Sequence, residues 1–294
     1  MKKILLIGSG GQVATELVRR KPDWCQLDIA GRDTIDLTDT DKIRPLISAS
    51  NADLIINAAA YTAVDRAEED GDTAHRVNAR APGEIALGAA DIAAPIIHIS
   101  TDYVFNGEGK RPYKESDATD PLGVYGRTKL AGERAVAAAT AQHLIVRTAW
   151  VFSAHGHNFV KSMLRLGGKL DRLTIVSDQL GSPTFAGDLA DAIWTIAGRL
   201  TETPQSDDFG IVNVTGNDIA TWYDFARTVF AVSKPHGGPT PEVVPILTED
   251  YPTLARRPAN SRLELSRLEN HFGINMRPWR AGLEEVLKEL HGVD

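Results

Sequence analysis

The chain predicts an α/β fold, a doubly wound parallel sheet followed by a smaller α/β lobe. Three observations carry this expectation. Short apolar, β-branched runs alternate with helical stretches through the first 150 residues. The first run feeds straight into a glycine cluster. Beyond Trp150 the alternation loosens into shorter elements. Parallel neighbours need crossover connections, so a strand–helix alternation reads as successive βαβ units.

Ile4 to Ile7 predicts a buried strand and Gln12 to Arg20 a helix. Asp28 to Ala30, Asp53 to Asn57, Pro95 to Ile99 and His143 to Arg147 predict further strands. Helical spacing runs from Thr73 to Ala93 and from Leu122 to Ala139. In the second half, short strands are expected at Leu173 to Val176, Ile211 to Val214 and Val243 to Pro245. Helices are expected at Asp188 to Arg199, Thr221 to Phe230 and Trp279 to Leu290. Prolines cluster between Pro235 and Pro258, which predicts a loop-rich cover over a site. The expected division is a dinucleotide-binding domain over 1–150 and a substrate-holding lobe over 151–294, partly interleaved with the first sheet.

Composition narrows the function. The 294 residues are 43% hydrophobic and 24% charged, ordinary for a globular protein, and the formal net charge is −7. No basic footprint exists for a nucleic-acid backbone. A single cysteine, Cys25, forbids an internal disulfide and a cysteine zinc site. The opening MKKILLIGSGG carries only about five apolar residues before its glycines, so it is expected to be a strand rather than a signal peptide. No stretch reaches the roughly 18 apolar residues of a membrane span. A cytoplasmic setting is expected.

The turn Gly8-Ser9-Gly10-Gly11-Gln12-Val13-Ala14 sits between a strand and a helix. Glycines there let the backbone approach a pyrophosphate, whose charge the free N–H groups of the helix N-terminus favour. Position, preceding strand and following helix together predict a Rossmann-type dinucleotide site with Gly8 and Gly11 in its loop. The second strand ends in Ala30-Gly31-Arg32-Asp33. An acidic residue here would hold the ribose of NADH, and an arginine the extra phosphate of NADPH. Arg32 favours NADPH.

Tyr125 and Lys129 lie four apart on a helix, hence on one face. An unperturbed phenol has a pKa of about 10. A cation one turn away would favour the phenolate and bring the group into a working range. Thr101 falls just past the strand Pro95 to Ile99, where open α/β sheets place ligands, and its hydroxyl could bind a substrate carbonyl. His155 and His157 have no carboxylate spacing suited to a metal. Arg256, Arg257 and Arg262 could clamp a substrate diphosphate.

Together these residues resemble the extended short-chain dehydrogenase/reductase superfamily and, within it, the dTDP-4-dehydrorhamnose reductase family. The stretches that carry the resemblance are GQVATEL (11–17), NAAAYTAVDRAE (57–68), STDYVFNG (100–107), YGRTKLAGE (125–133), RTAWVF (147–152), SDQLGSPT (177–184) and RRPANSRL (256–263). The resemblance implies hydride transfer from NADPH or NADH to C4 of dTDP-4-dehydro-L-rhamnose, giving dTDP-L-rhamnose for cell-surface polysaccharide. It makes Tyr125 the proton donor, Lys129 the ribose-binding cation and Thr101 the group that orients the 4-keto oxygen. It places Gly11, Gln12 and Val13 at the pyrophosphate, and Asp36 and Leu37 on the adenine side. Ala60, Tyr61 and Thr62 fall on the nicotinamide side, and Asp102 and Trp150 against the sugar. In some members a Mg2+ ion joins two subunits through glutamates. Glu16 and Glu289 match two such positions, but the third falls near Gly187-Asp188, so metal and homodimer are open.

Three other readings share this resemblance. A nucleotide-sugar 4,6-dehydratase needs an Asp-Glu pair after the threonine, where this chain has Asp102-Tyr103. An epimerase would keep its oxidised cofactor bound. A non-catalytic, NADP-binding regulatory subunit of methionine adenosyltransferase would use the same fold without turning over a sugar.

Overall fold

The computed structural model describes residues 1–292. Six parallel strands form the central sheet: β1 (Lys2–Ile7), β2 (Cys25–Ala30), β3 (Leu54–Asn57), β4 (Ile96–Thr101), β5 (His143–Thr148) and β6 (Gly210–Asn213). Their order across the sheet is β6-β5-β4-β3-β1-β2. The chain therefore leaves β1 in one direction for β2 and crosses to the other side for β3. Such a reversal opens a crevice at the carboxyl ends of the strands, the place where doubly wound sheets bind ligands. Ile4 to Ile7 and all of β3 are buried, as strands covered on both faces require.

Helices cover both faces. One layer holds α1 (Gln12–Arg19) against α4 (Ala186–Glu202), with Leu17, Leu189, Ile193 and Trp194 packed onto Ile4, Leu6 and Ile56. The other holds α2 (Ala81–Asp91) and α3 (Val124–Ala139), with Ile85, Ala89 and Val136 packed onto Leu5, Ile7 and Ile55. Thus β6 and α4, both from beyond residue 150, complete the first sheet and its cover. The remaining C-terminal elements build a second core. Helices Phe159–Gly167, α5 (Trp222–Ser233) and α6 (Trp279–His291) surround Phe152, Phe185, Phe225 and Trp279. Beside them the strand Arg172–Val176 pairs in parallel with Glu242–Ile246.

The stretch expected as one helix from Thr73 to Ala93 is interrupted. It runs as Gly71–His75, a wide π turn over Arg76–Arg80, then α2. The cause is Pro82, which has no amide to give the carbonyl of Asn78 and whose ring would strike it, so the helix widens there. The turn matters, because it presents the buried Asn78 to the loop after β3. Asn78 accepts from the Tyr61 amide (2.8 Å) and donates to the Tyr61 carbonyl (3.0 Å) and to Thr128 (3.2 Å).

α3 begins at Val124 rather than Leu122, because Pro121 and Gly123 precede it and Glu68 accepts the Val124 amide at 2.7 Å. It lies so close to the π turn that a Cβ on Gly132 would sit 2.0 Å from the Asn78 carbonyl oxygen. Backbone cannot yield cheaply there. Gly132→Ala is expected to lose about 1–3 kcal/mol through forced displacement of α3. Urea unfolding monitored by circular dichroism checks this; a midpoint equal to the parent's would show the contact to be soft.

Candidate active site

A cleft of about 2160 Å3 follows the carboxyl ends of the central strands and opens against the second core. Gly8, Gly11, Gln12, Val13, Arg32, Asp36 and Leu37 line one end. Ala60, Tyr61, Thr62, Thr101, Asp102, Tyr125, Lys129, Trp150 and Arg257 line its middle and far wall. Sequence reasoning thus brings together in one cleft residues from seven separate stretches.

The glycine turn is built for close approach. Gly8 has φ +106°, a value side chains rarely adopt, and a Cβ there would press on Ala59 at 3.3 Å. A Cβ on Gly11 would meet nothing within 4 Å, so its face is open to the cleft. No side chain caps α1 and no acidic residue lies in its first turn, so its free N–H groups favour an anion. These residues fit a dinucleotide's pyrophosphate. The Gln12 side chain turns elsewhere: it accepts from Ser153 (3.1 Å) and Asn158 (2.9 Å), leaving its backbone for the phosphate loop. Asp36 accepts from the Thr38 amide (2.9 Å) and hydroxyl (2.8 Å), which hold its carboxyl below the usual range. Arg32 is exposed at the rim.

The middle of the cleft is buried and tightly bonded. The Thr101 hydroxyl donates to Asp102 Oδ1 at 2.9 Å and accepts the Tyr103 amide at 3.2 Å. Asp102 is 2% exposed, and its Oδ2 is buried without a partner. Burial pushes this carboxyl up to about 7, against the hydrogen bond from Thr101. Lys129 is 1% exposed and its Nζ donates to the Ile99 carbonyl at 2.7 Å. Burial pulls the ammonium down to about 8 while Glu133 works in the opposite sense. The Tyr125 phenol is pushed up to about 12, by burial first, with a hydrogen bond to Thr101 opposing and Asp102 adding.

That last result corrects the expectation that Lys129 lowers the phenol. In this structure the ammonium is committed to Ile99, and burial decides the sign. Two of the three proposed diphosphate arginines are also corrected. Arg262 is spent on Asn260 (2.7 Å) and the Lys110 carbonyl (2.8 Å), and neither it nor the exposed Arg256 lines the cleft. Arg257 does line it, paired to Asp65 at 2.7 Å and set over the Tyr103 ring at 6.0 Å.

Residues 1–291 match the model of the RmlD substrate binding domain family. The chain belongs to that family. It is 44% identical over 286 residues to the dTDP-4-dehydrorhamnose reductase of Sinorhizobium fredii, covering 97% of this chain and 96% of that protein. The crystal structure of a dTDP-4-dehydrorhamnose reductase from Clostridium acetobutylicum superposes with a TM-score of 0.91 at 36% identity, covering 98% and 99% of the two chains. A dTDP-4-dehydrorhamnose reductase from Bacillus anthracis, solved with NADP, gives 0.90 at 30% identity and the same coverage.

In this member of the RmlD family, the glutamates expected at a metal do not fit one. Glu16 is 2% exposed and bonded to Arg20 at 3.0 Å, with Arg19 at 3.5 Å. Glu289 pairs with the same Arg19 at 2.9 Å, and Asp188 pairs with Arg277 at 2.7 Å. Guanidinium groups already neutralise each carboxylate, so a divalent cation would have to displace them. Neither glutamate lines the cleft.

Sequence reasoning missed the buried supports. Glu133 accepts from Arg147 Nε (2.9 Å) and Nη2 (2.6 Å) and from the Ser100 hydroxyl (2.6 Å), all buried. Asn57 and His98 lie fully buried behind Lys129. Trp222 stacks on Trp150 at 3.5 Å between ring centroids. A charged residue three to four places beyond Lys129 and another mid-strand were the available signals for the first pair. Removing one partner of a buried ion pair leaves the other uncompensated, so Glu133→Ala is expected to lose about 3–5 kcal/mol. Thermal unfolding measures it; a change below about 1 kcal/mol would show that water replaces the carboxylate.

Proposed function

We propose that the chain is an NAD(P)H-dependent oxidoreductase, a dTDP-4-dehydrorhamnose reductase working in the cytoplasm. One observation carries the reading: Thr101, Tyr125 and Lys129 share a cleft with an uncapped, glycine-fronted helix N-terminus. The names of relatives that cover nearly the whole chain support the substrate, dTDP-4-dehydro-L-rhamnose, and the product, dTDP-L-rhamnose. The NADP complex of the Bacillus anthracis protein supports the cofactor. Among the described residues, no helix is long and apolar enough to cross a membrane.

A reduced nicotinamide dinucleotide, when bound, supplies the hydride to C4. Every other step falls to the protein. Thr101 binds the 4-keto oxygen and holds it towards Tyr125. A phenol pushed up to about 12 is fully protonated at neutral pH, so it waits until the oxygen gains negative charge. An alkoxide is more basic than a phenolate, and the proton then passes to it. Asp102 and Trp150 hold the sugar, with Trp150 kept in place by its stack on Trp222. Arg257, offset by Asp65, is one cationic group for the diphosphate on the lobe side, where Arg165 and Arg172 also line the cleft.

The neighbouring classes fit less well. Dehydration across two carbons needs a second carboxylate beside Asp102, and there the chain has Tyr103, packed edge-on against Tyr125 at 5.5 Å. A purely regulatory role leaves the complete Thr101, Tyr125 and Lys129 set unexplained.

Tyr125→Phe is expected to bind cofactor normally and to lose about 10²–10⁴ in turnover, the usual contribution of one positioned proton donor. Supplying dTDP-4-dehydrorhamnose and NADPH, following cofactor oxidation and identifying the sugar tests both points. Near-parental turnover in the variant would remove Tyr125 from the reaction. Arg32→Ala is expected to raise KM for NADPH well above its effect on NADH, because only NADPH brings a phosphate to that rim. Equal effects on the two cofactors would leave Arg32 without a part in selectivity.

A further inference from the structure

Behind Lys129 lies a chain of hydrogen bonds whose protons can be counted. The Ala59 amide donates to Asn57 Oδ1 at 3.2 Å, which fixes the side-chain amide and turns Nδ2 towards His98 Nδ1, 3.1 Å away. An amide NH2 only donates, so Nδ1 must accept, and the single proton of a neutral imidazole then sits on Nε2. His98 Nε2 faces Lys129 Nζ at 3.4 Å. Asn57 and His98 are both fully buried, so water does not rescue a mismatch.

An ammonium would set its own N–H groups against that Nε2–H, donor against donor. A neutral amine meets both neighbours: it donates to Ile99 and accepts from His98 through its lone pair. Making His98 an imidazolium would not relieve the clash, since burial and the Lys129 charge hold it well below its usual range. We propose that Asn57 and His98 act as a tautomer relay that weakens the hold of Lys129 on its proton in the free protein. Binding of an anionic dinucleotide then completes the protonation, with one proton taken from solvent onto Nζ.

The inference rests on the reading of Lys129 as a cofactor-side cation. The groups bearing on it come from three elements. On its own helix, Tyr125 is protonated, and Glu133 favours the charge but is tied to Arg147 of β5. His98 comes from β4, and Asp102, from just beyond it, is itself held partly protonated by burial. Burial already brings the Lys129 ammonium down to about 8, the sense the relay requires. His98 and Asn57 are positioning residues here, since they act only through Lys129.

Calorimetry of NADPH binding in buffers of different ionisation enthalpy counts the protons exchanged. With a free pKa of about 8, the native protein should take up about half a proton per NADPH at pH 8 and almost none at pH 6.5. Affinity should fall about five- to sixfold between pH 8 and pH 9 as the neutral amine takes over. Asn57→Asp keeps the shape and the bond from Ala59, but its carboxylate needs a donor, so His98 must move its proton to Nδ1. The freed Nε2 then accepts from the ammonium, and the uptake at pH 8 should vanish. Long-range 15N–1H spectra of His98 should show the Nε2–H tautomer in the native protein and Nδ1–H in the variant. Failure to bind NADPH at all would overturn the functional reading. Binding without proton uptake at pH 8, or a native His98 protonated on Nδ1, would overturn the relay alone.

Discussion

One carboxylate, Glu133, ties together the three elements that carry or support Thr101, Tyr125 and Lys129. It sits on α3, accepts the Ser100 hydroxyl at the end of β4, and closes a two-point bond with Arg147 of β5. Two parallel N–H···O bonds fix angle as well as distance, so α3 cannot slide or roll on the strands. Tyr125 lies eight residues up the same helix, about 12 Å along its axis. Its height above Thr101 is therefore set by a contact well away from the chemistry. Close approach does the rest. A Cβ on Gly126 would lie 2.2 Å from the Tyr103 carbonyl oxygen, so the helix rests almost on the backbone that follows β4.

The same close packing explains the electrostatics. Burial acts on all the central groups in one direction, against charge. It raises the Tyr125 phenol and the Asp102 carboxyl and lowers the Lys129 ammonium. At neutral pH the site therefore carries little charge beyond the Lys129 ammonium, too little by itself to hold a polar transition state. Its polarity comes instead from fixed dipoles: the Ile99 carbonyl, the Thr101 hydroxyl and the open amides of α1. Dipoles that are already oriented stabilise developing charge without reorganising.

Much of this was legible in the residues. The sheet could be read where a strand is a short, largely buried run with a turn residue beside it, as Ile4 to Ile7 is before Gly8 and Ile96 to Ile99 after Pro95. The glycine turn and the Tyr125–Lys129 pair could be read because local spacing determines which face a helical residue occupies. The supports could not. Glu133 and Arg147 are fourteen residues apart and read individually as surface charges, and only the register of α3 against β5 brings them together. The stretch from Thr73 to Ala93 read as one helix despite Pro82, and the role of the widened turn was out of reach, since Asn78 gains meaning only from its bonds to the loop around Tyr61. Strand β6 illustrates the same limit. Gly210 to Asn213 follows a long helix from the second half, and nothing in its own residues says that it pairs with β5.

The two sides of the cleft are anchored very differently, and this bears on how a large substrate enters. On the cofactor side Gln12 donates to the Val151 carbonyl and accepts from Ser153 and Asn158. Asn158 in turn caps the helix Phe159–Gly167. The glycine turn and the first elements of the second core thus form one bonded unit, and Trp150 joins it with φ +49°, a left-handed value costly for a bulky residue unless its surroundings hold it. They do, since a Cβ on Gly181 would already overlap the Trp150 ring at 2.3 Å. The opposite wall, from Tyr251 to Arg257, carries the exposed side chains Tyr251 and Leu254 and returns to the first domain mainly through Asp65. Segments with few buried contacts open at the lowest cost in free energy. Compliance therefore belongs to the wall from Tyr251 to Arg257, and rigidity to the wall that carries the glycine turn and Trp150.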